Sequence, residues 1–171
     1  MSRRLFLRLL ALVYLVAFAS LATQMTGLVG ERGILPVSEF LDRARATYGS
    51  EAYRYFPTLL WFSPTDTLLT LICWSGVALS VLLLIGVAPI ISALLLWVLY
   101  LSLTIAGQVF LQFQWDALLL ETGLLAILYA PPVWRMGAAN DLAPPAIVRW
   151  VLWGTGVQSH VPFGHHQNRE R

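Results

Sequence analysis

Residues 68–110 read LLTLICWSGVALSVLLLIGVAPIISALLLWVLYLSLTIAGQVF, without a single charged side chain. One crossing of a bilayer needs roughly 20 apolar residues, so this stretch holds enough for two. Its strongest punctuation is Gly86–Pro89 near the middle. Proline cannot continue a helix from within, and glycine ends one readily. The pattern therefore predicts two membrane-spanning helices, at about Leu68–Val87 and Pro89–Phe110, joined by a tight turn.

Working outward, two more apolar segments appear. One runs from about Leu9 to Val29 behind Arg3, Arg4 and Arg8, with Thr23 and Gln24 as its notable polar interruptions. Ala17-Phe18-Ala19 could mimic a signal-peptide cleavage site, but the apolar run continues well past it, which favours a retained anchor. The other, about Ala117–Ala130, is short for a crossing and needs flanking residues or local bilayer thinning. The expected fold is all-α: an integral membrane bundle of about four transmembrane helices over residues 1–143. Residues 144–171 are expected to hold an incomplete fifth helix, from about Ala146 to Trp153, and a polar tail.

Composition agrees. The 171-residue chain is 58% hydrophobic and 12% charged, with mean hydropathy +0.70. Soluble domains are about 45–50% apolar and about 25% charged. The net charge is only +2 and lysine is absent, so no nucleic-acid footprint is present. The single cysteine, Cys73, lies inside an apolar run and reads as a packing residue. His160, His165 and His166 fall in the polar tail without acidic or thiol partners at metal-ligand spacing.

Arg3, Arg4 and Arg8 predict a cytoplasmic N-terminus. The 30–66 loop and the 108–116 joint would then share the outer side. In that loop, Ser38 is expected to cap a short amphipathic helix over Glu39–Tyr48 that stops at Gly49. Phe40, Leu41, Ala44 and Tyr48 share one face, which would lie in the membrane interface. Glu39–Arg43 and Asp42–Arg45 could pair on the other face. Tyr53, Tyr55, Phe56, Trp61 and Phe62 form an aromatic belt before the second span, and Ser63-Pro64-Thr65-Asp66 reads as that span's cap and first turn.

Chemistry concentrates in FLQFQWDALLLETG, residues 110–123, where Gln112, Gln114, Asp116 and Glu121 stand between apolar helices. Ionisable groups at membrane depth are costly unless paired or hydrated, so they are functional candidates. Gln108, Gln112 and Asp116 would share a face if the helix were continuous. Asp116 and Glu121 are five apart, about 140° around a helix, and so do not form a same-face pair. Asp116 also reads as a helix cap and Trp115 as an interface anchor. Glu121, in the second turn, needs another explanation. Gly76 and Ser80 offer a small-residue helix contact.

Two stretches resemble the lipase maturation factor family: GLVGERGILPVSEFLDRAR at 27–45 and GQVFLQFQWDALLLETGLLAILYAP at 107–131. The resemblance implies a membrane folding factor, whose eukaryotic members reside in the endoplasmic reticulum and assist secreted dimeric lipases. It implies no enzyme activity and no cofactor. The motif residues it singles out are Gln112, Gln114, Trp115, Asp116 and Glu121, with Gly30, Arg32, Gly33 and Pro36 in the facing loop. Implied partners are the lipid bilayer and a secreted lipase or other exported client. Family proteins continue into further membrane segments and a C-terminal client-binding domain, so the sequence suggests a truncated form. The arginine-only base content suggests a bacterial inner membrane. An alternative is a membrane enzyme distantly similar to vitamin K-dependent carboxylases, with Asp116 and Glu121 as acid/base groups; another is a non-functional fragment.

Overall fold

The structure is a computed structural model that describes residues 3–131 and 133–135. The expected fifth helix, the 144–171 region and the three histidines lie outside those residues.

Among the described residues six α-helices follow one another: α1 (Arg3–Val29), α2 (Val37–Tyr48), α3 (Ala52–Tyr55), α4 (Asp66–Ile85), α5 (Pro89–Ala106) and α6 (Gln114–Tyr129). Short 3-10 turns cover Gly49–Glu51, Leu59–Trp61 and Gln108–Leu111. The described residues hold no multi-residue strand, only an isolated bridge between Val87 and Arg135. Three of the described helices, α1, α4 and α5, are long and apolar enough to cross a membrane. With 16 residues, α6 is about 24 Å long against a hydrocarbon core of about 30 Å.

The long helices alternate in direction. α1 packs chiefly on α4, α4 on α5, and α5 on α6, while α1 also touches α5 and α6. Close approach of α1 and α4 depends on Gly76: a Cβ there would lie 2.2 Å from Phe18 Cδ1. Ser80, fully buried one turn on, donates its hydroxyl to the Gly76 carbonyl at 2.7 Å. The small pair thus serves packing. The tight turn also forms as the residues dictate. Gly86 adopts φ 82°, its N–H closes the last turn of α4, and Pro89 occupies the first position of α5.

This arrangement gives the bundle two unlike ends. One collects the 30–65 loop and the α5–α6 joint. The other carries the α4–α5 turn, Arg3 and Tyr129, whose carbonyl accepts from Arg3 Nε and whose ring lies 5.3 Å below the guanidinium. Arg135 joins that end through its bridge with Val87.

The loop differs from expectation in four ways. α2 begins at Val37 behind Pro36, with no side-chain cap, so Ser38 is a helical residue and not the cap. Its apolar face is not given over to lipid: Val37 and Leu41 belong to the protein core, and Phe40 meets Phe56 edge-on at 5.2 Å. Glu39–Arg43 does pair, loosely at 4.0 Å, while Arg45 turns to the Tyr53 hydroxyl at 2.5 Å instead of to Asp42. The cap of α4 is Thr65, which accepts from Leu68 N at 3.4 Å, and not Ser63. Ser63 lies within 3.3 Å of the Thr65 hydroxyl.

Candidate functional site

The joint between α5 and α6 is built from a break. Gly107 ends α5, where a Cβ would fall 2.5 Å from Leu111 Cδ1, and Gln108 follows at φ 48°. The 3-10 turn after it cannot run into α6, so Gln108, Gln112 and Asp116 do not share a helical face. Gln108 instead donates from Nε2 to the Leu35 carbonyl at 3.3 Å, tying the joint to the 30–36 loop. Gln112 and Gln114 are exposed. Trp115, 70% exposed, stacks on Phe113 at 5.7 Å between ring centres.

Asp116 is different. Only 6% exposed, it occupies the first turn of α6 but its side chain caps nothing. Its Oδ1 accepts from the Tyr100 hydroxyl of α5 at 2.5 Å. Tyr100 meets Tyr14 and Phe18 of α1 edge-on, at 5.8 and 5.7 Å. Tyr14 in turn donates to the Leu119 carbonyl of α6 at 3.3 Å. A Cβ on Gly123 would sit 2.1 Å from that Tyr14 hydroxyl, so only glycine lets it in. Trp97 of α5 adds a bond from Nε1 to the Leu120 carbonyl at 2.9 Å. Three helices therefore meet at one polar knot inside an apolar bundle.

Glu121 does not join it. It is exposed, on the side of α6 opposite Asp116, Leu119, Gly123 and Ala126, which are buried. The two carboxylates are not brought into one site. Among the described residues no group of three or more His, Cys, Asp or Glu could hold a metal.

The facing loop is held by a second carboxylate. Asp66, first residue of α4, accepts from Glu31 N at 2.8 Å. Gly30 leaves the room for it: a Cβ there would lie 2.4 Å from Asp66 Oδ1 and 2.2 Å from the Thr26 carbonyl oxygen. Gly33 is equally confined, against Gly30 N and the Leu28 carbonyl at 2.8 Å. Leu35 N donates back to Leu28 O at 2.9 Å, and Pro36 then leads into α2. Arg32 is exposed.

Sequence reasoning passed over Tyr14, Trp97 and Tyr100, and assigned Asp66 only to helix initiation. Tyr14 and Tyr100 are the sole tyrosines of their helices, and a phenol in an apolar span calls for an acceptor. That signal was available. A groove of about 500 Å³ runs beside the knot between α1 and α6, walled by Leu12, Val13, Val16 and Leu119, with Tyr100 and Asp116 along it.

Residues 1–156 match the family model described as the lipase maturation factor transmembrane domain. The chain belongs to the lipase maturation factor family. It is 44% identical to Lipase maturation factor 2 of Xenopus laevis and 43% identical to that of Homo sapiens, each match covering 90% of this chain. Lipase maturation factor 1 of Bos taurus is 36% identical, also over 90% of the chain. Those matches cover 23%, 24% and 28% of the relatives, so the chain spans about a quarter of their length. No solved structure matches. The relatives quoted are vertebrate proteins and lend no support to a bacterial inner membrane. The two sequence motifs that resemble the family are the loop and joint that Gln108 ties together.

Proposed function

We propose that this lipase maturation factor domain is the membrane-embedded part of a folding factor for exported lipases and acts without covalent chemistry. The observation that carries this reading is the Tyr14–Tyr100–Asp116 knot. The two tyrosine hydroxyls and Asp116 Oδ1 join α1, α5 and α6, and the motif's other carboxylate, Glu121, faces away from the knot. A two-acid mechanism requires both groups to face one substrate site.

In this reading α6 is a fourth, short crossing. Arg3, Arg4, Arg8 and Arg135 mark the cytoplasmic end, and the loop and joint face the lumen or periplasm, where a client lipase would be met. The bundle fixes the geometry of that face. A chimera tests it: residues 1–156 replace the matched region of the Bos taurus Lipase maturation factor 1. Cells depending on the chimera should export active lipase. A chimera that inserts and is abundant, yet yields no active lipase, overturns the reading. Glycosylation acceptors placed at Ser50 and at Val87 check the sidedness, with modification expected only at Ser50.

A further inference from the structure

Asp116 holds a carboxylate oxygen that the knot does not use. Tyr100 bonds Oδ1, and among the described residues Oδ2 receives no hydrogen bond. Nor is it sealed within protein, since Asp116 lines the α1–α6 groove. Asp116 is 6% exposed as a residue and its Oδ2 opens on the groove, and such a carboxylate oxygen facing hydrocarbon without a donor is costly. Whatever fills the groove must answer it.

The groove's own pattern says what kind of molecule does so. Ser20, Tyr100 and Asp116 bring polar groups to it toward the loop end, while Leu12, Val13 and Val16 continue toward the middle of α1. From Leu12 to Ser20 the helix rises about 12 Å. Leu12, Val13 and Val16 are each about half exposed or more, so this wall is open along its length and not closed by described protein. An open apolar groove with a carboxylate toward its outer end matches an amphiphile: an extended chain below, a hydrogen-bond donor above.

We propose that the α1–α6 groove binds a membrane lipid, with one acyl chain along Leu12–Val16 and a headgroup hydroxyl or ammonium donating to Asp116. A phosphatidylcholine headgroup, which has no donor, fills the channel without satisfying the carboxylate. The site thus selects on the headgroup while the chain supplies contact area. This inference stands apart from the proposed lipase role and survives its failure.

The test uses the full chain in phosphatidylcholine nanodiscs carrying a diacylglycerol with a diazirine in one acyl chain. An analogue whose free hydroxyl is acetylated serves as the donor-less probe. The free-hydroxyl probe should label segments 12–21 and 111–119 at least fivefold more than the capped one. Val16→Trp fills the exposed wall without touching the knot and should remove that labelling with the melting temperature unchanged. Asp116→Leu should bring the two probes to equal, low labelling; if that variant fails to fold, the capped probe and Val16→Trp carry the test. Equal labelling by both probes on the wild type overturns the proposal. So does labelling that persists in Val16→Trp, or absence of groove labelling in folded protein, which would give the channel to a protein helix.

Discussion

Asp116 and Glu121 stand on one helix, five residues apart, and meet opposite surroundings. The inward face of α6 holds Asp116, Leu119, Gly123 and Ala126 against α1 and α5, with two tyrosines and a tryptophan donating into it. The outward face carries Trp115, Leu118, Glu121, Leu124 and Leu128, all exposed. Inside the bundle the Asp116 carboxylate takes one protein donor, on Oδ1, whereas Glu121 stands exposed with no donor among the described residues. Polar groups at membrane depth belong to a structure's joints, and depth alone does not say which acid is one.

The comparison is broken most severely at Gly123. Gly123→Leu places a side chain where the Tyr14 hydroxyl lies, so α1 and α6 must part or Tyr14 must leave its acceptor. Overpacking of this kind costs about 1–3 kcal/mol and occasionally more. With a buried hydroxyl also orphaned, a loss of about 3 kcal/mol or more is expected, read as a collapse of the detergent-resistant folded fraction. Gly123→Leu protein that melts like wild type would mean that α6 does not seat on Tyr14.

A milder break lies at the loop. Gly30→Ala meets both the Thr26 carbonyl oxygen and Asp66 Oδ1, the acceptor for Glu31 N. A loss of about 1–3 kcal/mol is expected. Removing the acceptor with Asp66→Ala should absorb part of it, so the double mutant should fall short of the sum. Strict additivity would separate Gly30 from Asp66.

Smaller again is Tyr100→Phe, which deletes the donor to Asp116 and keeps the ring against Tyr14 and Phe18. Hydrogen bonds between membrane helices average about 0.6 kcal/mol and reach about 1.7. The bond is short and buried, so about 1–2 kcal/mol is expected from thermal unfolding. The cycle with Asp116→Asn should show coupling of the same sign.

The fold was readable to the extent that it depends on local composition. Residues 68–110 announce two helices and their turn because apolar length and a Gly–Pro break are local properties. Gly76 and Ser80 were legible as packing residues for the same reason. Caps were less so: Ser63 and Thr65 are both competent, and only the path of the chain selects Thr65. The α2 face misled because an amphipathic pattern specifies an apolar neighbour without saying whether that neighbour is lipid or protein. Here much of it is the protein core, at Val37 and Leu41. The joint was recognisable from Gln112 to Glu121 as a dense run of polar residues. Its partners were not, since Tyr14 lies about a hundred residues away and the link to Leu119 is purely tertiary.

Glu121 gives the smallest expected effect and the sharpest reading of the comparison. No described residue donates to it, so Glu121→Gln removes a charge and breaks no bond. Substitutions away from caps, cores and networks usually stay within about 0.5 kcal/mol, and that is the shift expected in the thermal unfolding of the purified chain. Asp116→Asn, the same chemical change five residues earlier, should cost more, because the amide cannot replace a carboxylate as acceptor from Tyr100 without turning an N–H toward the groove. The ratio of the two losses therefore measures how far the inward face differs from the outward one. Equal losses would mean that Glu121 has a partner in the folded protein, and the asymmetry of α6 would have to be redrawn around it.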